Sequence, residues 1–362
     1  MRTTLFNLFL LSSSVFAAPV FIGTGAKAIY LADFDAATGK LSEPVAAAEY
    51  AGPGWIGFHP TQPVLYAVGS PKQEFPDKSG AIAAFTIGAG NKLSFLGEAS
   101  SAGKGACHLA VDATGKTVAI ANYSDGTLTT VKLDAKGVPT TTGSAVPKTG
   151  NGPTGRQKGP HSHGVYFDKS NTYLFEPDLG VDKVFIYKLN AADSTVSQTG
   201  ALETKAGAGP RHMTFSPDEK HAYVINELDN TILVASYDGK GGLKEIQTVP
   251  TLPADFTGKS TTAEIEVHPN GKFVYGSNRG HDSIVVYARD TATGKLTFVQ
   301  HAPAGGKTPR HFKIDPSGKW MLVGHQDTDT ISVLPLDPAT GKLGAPASTV
   351  SAPKPICLLF GK

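Results

Sequence analysis

The chain has 362 residues, of which 40% are hydrophobic and 18% charged, so it can bury a large core and is not disordered as a whole. The formal charge of +2, with no basic run or basic strip interleaved with aromatics, excludes nucleic acid as a partner class. Glycine (41) and proline (25) are both abundant, as many short strands and tight turns require.

The N-terminus carries one positive charge (Arg2), a mainly apolar run from Leu5 to Leu11 interrupted by Asn7, and small residues up to Ala17-Ala18. That is the layout of a secretory signal, with cleavage expected after Ala17 or Ala18. The apolar run is too short for a comfortable bilayer span, and no later stretch looks transmembrane. The expected organisation is a signal peptide over 1–17 and one domain over 18–362. The mature protein is expected to be secreted or otherwise extracytoplasmic, without a membrane partner.

Next come two strand-like stretches, Val20-Phe-Ile-Gly and Ala28-Ile-Tyr-Leu-Ala-Asp-Phe, and the turn Asp35-Ala-Ala-Thr-Gly-Lys40. A repeat then begins. Its copies read Trp55-Ile-Gly-Phe-His59-Pro60, His108-Leu-Ala-Val-Asp112, His163-Gly-Val-Tyr-Phe-Asp168, Arg211-His-Met-Thr-Phe-Ser216-Pro217, Glu264-Ile-Glu-Val-His268-Pro269 and Arg310-His-Phe-Lys-Ile-Asp315-Pro316. The anchors at 59, 112, 168, 216, 268 and 315 recur about every fifty residues, the period of propeller blades. After each anchor the pattern runs turn, strand, turn, strand, turn, strand. In the sixth copy these are Asp315-Pro-Ser-Gly318, Trp320-Met-Leu-Val-Gly, Gln326-Asp-Thr-Asp329, Thr330-Ile-Ser-Val-Leu, Asp337-Pro-Ala-Thr-Gly-Lys342 and the stretch after Leu343. Four short strands make one antiparallel blade.

At the end of the chain, Ile356-Cys-Leu-Leu-Phe360 reads as a lone inner strand, and Asp35–Lys40 matches the outer turns at 290–295 and 337–342. The two ends therefore complete one more blade, which removes open sheet edges. The predicted fold is all-β: a seven-bladed β-propeller of four-stranded antiparallel blades, one blade closed by both termini.

In such a blade the openings of first strands and the turns after second strands lie on one face, around the channel mouth. The openings supply Trp55, His108, His161, His163, Arg211, His212, Glu264, Arg310 and His311; the turns supply Tyr123, Asp178, Glu227, Arg279, His281, His325 and Gln326. Convergent polar groups of mixed charge define a candidate site. Four of the seven inner-strand openings carry histidine or arginine, which favours His163 as an acid or base over a strand-capping histidine. Arg211 and Arg310 share a Pro-Arg-His word and suit an anion grip or oxyanion support, against pairing between blades. Asn122, Asn226 and Asn278 read as turn formers. The residue after each varies among Tyr, Glu and Arg, so the turn does not dictate it, and Glu227 and Arg279 stand out; Asp229 and Asp282 read as turn residues. The substrate-binding set is His108, His161, Glu264, Arg310, His311 and Gln326, around catalytic His163, Glu227, Arg211 and Arg279.

No fixed metal-ligand spacing occurs, and paired arginines would repel a divalent cation, so neither metal nor cofactor is expected. No Gly-x-Ser-x-Gly elbow is present. The two cysteines, Cys107 and Cys357, open inner strands of non-adjacent blades, and their pairing is left open. Asn122-Tyr-Ser is an acceptor triplet for glycosylation.

Ala-Asn-Tyr-Ser, Pro-Asp-Leu-Gly-Val-Asp, Gly-Pro-Arg-His, Val-Ile-Asn-Glu-Leu-Asp, Ser-Asn-Arg-Gly-His-Asp-Ser-Ile and Thr-Pro-Arg-His-Phe occur in this order along the chain. Together they resemble the seven-bladed lactonase family, which includes propeller-type 6-phosphogluconolactonases and fungal carboxy-cis,cis-muconate cyclases. The cyclase branch has a proposed set of histidine, arginine, glutamate and a second arginine. By motif, the resemblance places these at His163, Arg211, Glu227 and Arg279. Two words depart from the family pattern: Glu266 in Ala-Glu-Ile-Glu-Val, and Gly324-His-Gln in place of Ala-Asn-Gln. The resemblance implies a metal-independent hydrolase acting on a small-molecule lactone, with His163 or Glu227 activating water and the other protonating the leaving alkoxide. A muconate cycloisomerase and a non-catalytic secreted propeller that binds carbohydrate or protein are the alternative readings.

Overall fold

The computed structural model describes residues 18–361, so the N-terminal segment expected to direct secretion lies outside the described residues. Seven antiparallel sheets follow one another around a central channel. The first comprises Trp55–Phe58, Val64–Gly69, Ala81–Ile87 and Leu93–Ser100, running from the channel outwards. The innermost strands of the next five blades are Ala106–Val111, Tyr166–Phe167, Pro210–Phe215, Thr261–Val267 and Pro309–Ile314. The seventh blade joins the chain ends: Pro355–Phe360 is its inner strand and pairs with Ala18–Thr24 through Phe21↔Leu359 and Ile22↔Leu358. Its outer position is shared by two short strands, Lys40–Leu41 and Val45–Glu49, both paired with Ala28–Asp35.

The repeat anchors work through their side chains. Asp112 Oδ1 accepts the Thr117 N–H at 2.7 Å, Asp168 Oδ1 that of Tyr173 at 2.9 Å and Asp315 Oδ1 that of Trp320 at 2.8 Å, so each closes its turn onto the second strand. Where the anchor is histidine it also reaches the next blade: His268 Nε2 lies 2.9 Å from Gly318 O, and His59 Nε2 lies 3.1 Å from Gly115 O.

Second strands such as Val64–Gly69 are buried on both faces, because each sheet packs against a neighbour on either side. One apolar cluster joins Tyr223, Ile225, Ile232 and Val234 of the fourth blade to Ile265, Val274 and Tyr287 of the fifth. The next joins Tyr275 and Val286 of the fifth to Phe312, Met321 and Leu334 of the sixth.

The repeated Asp-x-Ala-Thr-Gly-Lys turns latch the blades together. Tyr223 Oη donates to Gly294 O at 3.0 Å, Tyr275 Oη to Gly341 O at 3.0 Å, and Trp320 Nε1 to Ala36 O at 2.9 Å. Each time an outer turn of one blade receives a ring from the blade before it. Gly341 has φ +73°, and a Cβ there would run into the Phe273 ring.

The inner strands open with a bulge. Ala106 and His108 face successive residues of the neighbouring strand, leaving Cys107 as the extra residue. Arg211 and Arg310 are extra in the same way, flanked by Pro210 and His212 and by Pro309 and His311. Such a bulge re-aims a side chain.

Asn122 is fully buried, and its Nδ2 bonds Ser101 O, Thr127 O and Thr129 Oγ1, so the acceptor triplet is inaccessible in the folded protein. Cys107 and Cys357 are both free thiols.

Gly341→Ala should lower stability by roughly 2 kcal/mol or more, combining a left-handed backbone with overpacking against Phe273. Gly239 has φ +72° and open space around it, so Gly239→Ala carries the backbone cost alone. The difference between the two in chemical denaturation isolates the latch contact, and equal losses would refute it.

Candidate active site

The site is built around one carboxylate. Glu227 follows the second strand His221–Asn226 of the fourth blade, and its side chain is 4% exposed. Oε2 lies 3.0 Å from Arg211 Nε and 2.9 Å from Arg279 Nη2, and Oε1 lies 3.0 Å from Arg156 Nη2. Burial pushes the Glu227 carboxyl up, but the guanidinium groups of Arg279, Arg211, Arg156 and Arg310 outweigh it and hold the group below the usual carboxylate range. Glu227 is therefore ionised throughout the neutral range.

Arg211 stands behind this carboxylate. It is 2% exposed, its Nη1 donates to Ala263 O at 2.6 Å, and its Nε contact to Glu227 is ionic, without hydrogen-bond geometry. Arg279 also donates to Thr262 O at 2.7 Å. The bulge extras and the turn residues thus meet at the mouth, as the blade equivalence predicts.

A cavity of about 390 Å³ opens there, lined by Gly105, Cys107, Tyr123, Ser124, Arg156, His163, Glu227, Arg279 and Arg310. Arg310 pairs with no carboxylate among the described residues, and its Nε is buried without a partner. His163 Nε2 lies 4.0 Å from Glu227 Oε2, and its buried Nδ1 has no partner. Burial, then the Arg211 guanidinium, hold the His163 imidazole well below the usual histidine range, so it is neutral. The Cys107 thiol is pushed up to about 12 by burial, which keeps it protonated and unreactive.

The bulges divide the predicted residues between two places. Arg310 faces the mouth cavity, but His108, Glu264 and His311 line a separate cavity of about 510 Å³ in the channel, together with Trp55. Their expected place in the mouth pocket is corrected: His108 and His311 each follow a bulge and turn inward, beneath the site, where Glu264 joins them. Trp55 packs there on His108, His212 and His311, with ring centroids 4.1, 5.2 and 5.1 Å away. Burial lowers His108 to about 3 and His311 to about 4, so this plug is uncharged apart from Glu264. With His212 also held neutral by burial, its 3.0 Å contact with Glu264 Oε2 is a hydrogen bond and not an ion pair.

Arg211 does not line the mouth cavity; it supports Glu227 from behind. His161 lies beside the cavity, stacked on Tyr123 at 4.5 Å with Nδ1 2.8 Å from Tyr123 O. Gln326 is also outside the lining, its N–H donating to Thr308 O at 3.0 Å. Asp229 and Asp282 fix turns, accepting from Thr231 Oγ1 at 2.7 Å and from the Gly280 N–H at 3.0 Å. Both departures from the family words lie away from the mouth: Glu266 bonds Lys313, and buried His325 bonds Ala304 O.

Sequence reasoning missed Arg156 and passed over Tyr123. Arg156 comes from residues 147–165, the longest connection between described strands, and has no counterpart in other blades. The available signal was the wide spacing between the anchors at 112 and 168. Lys148 pins the start of this loop to Glu176 at 2.6 Å, and Gln157 Nε2 bonds Asp182 Oδ1 at 2.7 Å and Leu179 O at 2.9 Å. Asp178 Oδ1 takes the His161 N–H at 2.7 Å. The loop is rigid at its base, and it delivers both Arg156 and His163. Among the described residues no group of three or more His, Cys, Asp or Glu is placed to hold a metal.

Glu227→Gln leaves buried Arg211 and mostly buried Arg279 without their counter-charge, so it should cost about 3–5 kcal/mol of stability. Thermal and denaturant unfolding check this, and an unchanged stability would remove Glu227 as the electrostatic centre of the site.

The family described as "Lactonase, 7-bladed beta-propeller" matches residues 19–360. The 6-phosphogluconolactonase of Bacillus subtilis is 35% identical over 346 residues, covering 94% of this chain and 97% of that protein. The solved structure of a periplasmic gluconolactonase from Pseudomonas aeruginosa superposes with a TM-score of 0.88 at 28% identity, covering 95% of this chain and 98% of that one. A putative 6-phosphogluconolactonase from Bacteroides fragilis gives a TM-score of 0.88 at 30% identity, covering 97% and 99%. With its blades, its closure and its sequence matched from end to end of the described propeller, this chain belongs to the seven-bladed β-propeller lactonase family.

Proposed function

We propose that the protein is a lactone hydrolase of the 6-phosphogluconolactonase type that opens a sugar lactone outside the cytoplasm. The observation that carries this reading is a neutral imidazole, an ionised carboxylate and three guanidinium groups facing one cavity. Its volume, about 390 Å³, is in the range that accepts a small molecule.

Ring opening needs a base for water, a support for the tetrahedral oxyanion and a proton for the leaving alkoxide. Two candidates for the base emerge from the sequence, and the charge states favour His163. Glu227 is a weak base because Arg211 and Arg279 hold its Oε2. His163 begins neutral, takes a proton from water, and becomes an imidazolium beside the Glu227 carboxylate 4.0 Å away. It then returns that proton to the alkoxide. Glu227 steadies the imidazolium, much as the carboxylate does in a triad. Arg279 and Arg310, both on the cavity lining, are the donors for the oxyanion. A negatively charged substrate would also offset the field of Arg211 and Arg310 that depresses the imidazole.

Hydrolysis is favoured over muconate lactonisation by relatives named as 6-phosphogluconolactonase and gluconolactonase. An extracytoplasmic setting is supported by the signal-like start of the chain and by the periplasmic neighbour.

The test is acid release on a panel of phosphorylated and plain aldonolactones, with a carboxymuconate as the competing substrate. Turnover of the muconate alone would overturn the hydrolase reading. His163→Ala should lower kcat by about 10²–10⁴-fold with stability retained. Because His163 must be unprotonated and titrates well below 6.5, kcat should stay flat from pH 6 to 8 and fall only on the acid side. An acidic limb centred at 6.5 or above would contradict this assignment.

A further inference from the structure

Three arginines touch Glu227, but they differ in how firmly they are held. The Arg211 side chain is 2% exposed and that of Arg279 is 14% exposed, and both also donate to backbone carbonyls. The Arg156 side chain is 52% exposed. Its contacts are a 2.9 Å hydrogen bond to Tyr123 Oη and the 3.0 Å pair with Glu227 Oε1. No other described residue bonds Oε1.

The Arg156 end of this pair is half-exposed and screened by solvent, so a competing oxyanion can displace it. Arg156 stands at the rim of a cavity that already contains Arg310 without a carboxylate partner. Its guanidinium is therefore the one that can turn to an incoming anion without dismantling a buried network. The backbone it hangs from is anchored through Gln157, so the movement is confined to the side chain.

We propose that Arg156 is the specificity-determining residue of the site: it leaves Glu227 Oε1 to bind a phosphate or carboxylate substituent remote from the lactone carbonyl. The inference rests on the lactonase reading for its substrate. Anion binding is thereby coupled to the site's acid–base group. While Arg156 is on Glu227, Oε1 is occupied; once the substrate's anion has taken it, Oε1 is free to receive the imidazolium N–H of His163. A neutral lactone leaves Arg156 in place and gains neither contact nor release. Phosphate and carboxylate share the planar or near-planar pair of oxygens that a guanidinium fork recognises.

The test uses the full protein and its variants Arg156→Gln and Arg156→Lys, with thermal unfolding as the check on folding. For turnover, the ratio of kcat/KM on a phosphorylated aldonolactone to that on its plain counterpart is compared across variants. It should fall about tenfold or more in Arg156→Gln, with partial recovery in Arg156→Lys. For binding, calorimetric titration with sorbitol 6-phosphate, glucuronate and sorbitol reads the anion grip without any lactone chemistry. At least one of the two anions should lose about tenfold in Kd in Arg156→Gln. An unchanged ratio, or equal losses on both lactones, overturns the proposal, as does anion binding that ignores the substitution. If the wild type opens no lactone, the hydrolase reading fails, and the titrations still decide whether Arg156 is an anion grip.

Discussion

Closure of the ring is the constraint on which the site depends. Pro355–Phe360 pairs with Ala18–Thr24, so the last inner strand is held by the first segment of the domain and the two chain ends become one blade. Without that pairing the inner strands would not share an axis, and residues as distant in sequence as Tyr123 and Arg310 would not line one cavity. The latches between outer turns and the rings of the preceding blade set the spacing of the sheets at the rim. Closure fixes the channel, and the channel fixes what can meet at its mouth.

On that frame a small backbone device separates two chemistries. The bulge at the start of the inner strands turns Cys107, Arg211 and Arg310 towards the mouth or the group behind it, and turns His108, His212 and His311 into the channel. Neighbours in sequence thus have different surroundings. The inward set packs on Trp55 as a plug of neutral imidazoles. The outward set supplies charge where a substrate can reach it. The floor under this strongly cationic pocket is polar and carries one carboxylate, Glu264, so it offers few counter-charges and leaves most of the guanidinium field directed at the cavity.

Glu227 is what makes this concentration of positive charge tolerable. Arg211 is buried and Arg279 nearly so, and two largely desolvated guanidinium groups close together need a shared anion. The same arrangement sets protonation states: it keeps the carboxylate ionised, and burial, reinforced by Arg211, keeps His163 neutral. In the proposed reaction a neutral base next to a fixed anion is the required starting condition. The loop over 147–165 then adds Arg156, a half-exposed guanidinium, to the carboxylate that Arg211 and Arg279 hold.

The fold was legible in the periodicity of the chain, and so were several of the side chains that line the mouth cavity. Turn-closing anchors such as Asp112 and Asp315 must recur wherever a blade's first hairpin recurs, so periodicity revealed the blade count, and Asp35–Lys40 revealed the closure. The equivalent turn positions identified Glu227 and Arg279, because a side chain that the turn does not dictate is free to serve chemistry. The remaining placements depend on packing between blades. A one-residue bulge carries no distinctive residue type, so nothing in Pro-Arg-His told that Arg310 faces the cavity while His311 turns beneath it. Arg211 was legible as functional but not as a support behind Glu227, since burial depends on the neighbouring blade. Arg156 stands outside the repeat, in a loop whose path is set by Lys148, Gln157 and Asp178 bonding to other strands and turns. Local pattern specifies strands and turns; which side chains converge depends on contacts between segments far apart in the chain.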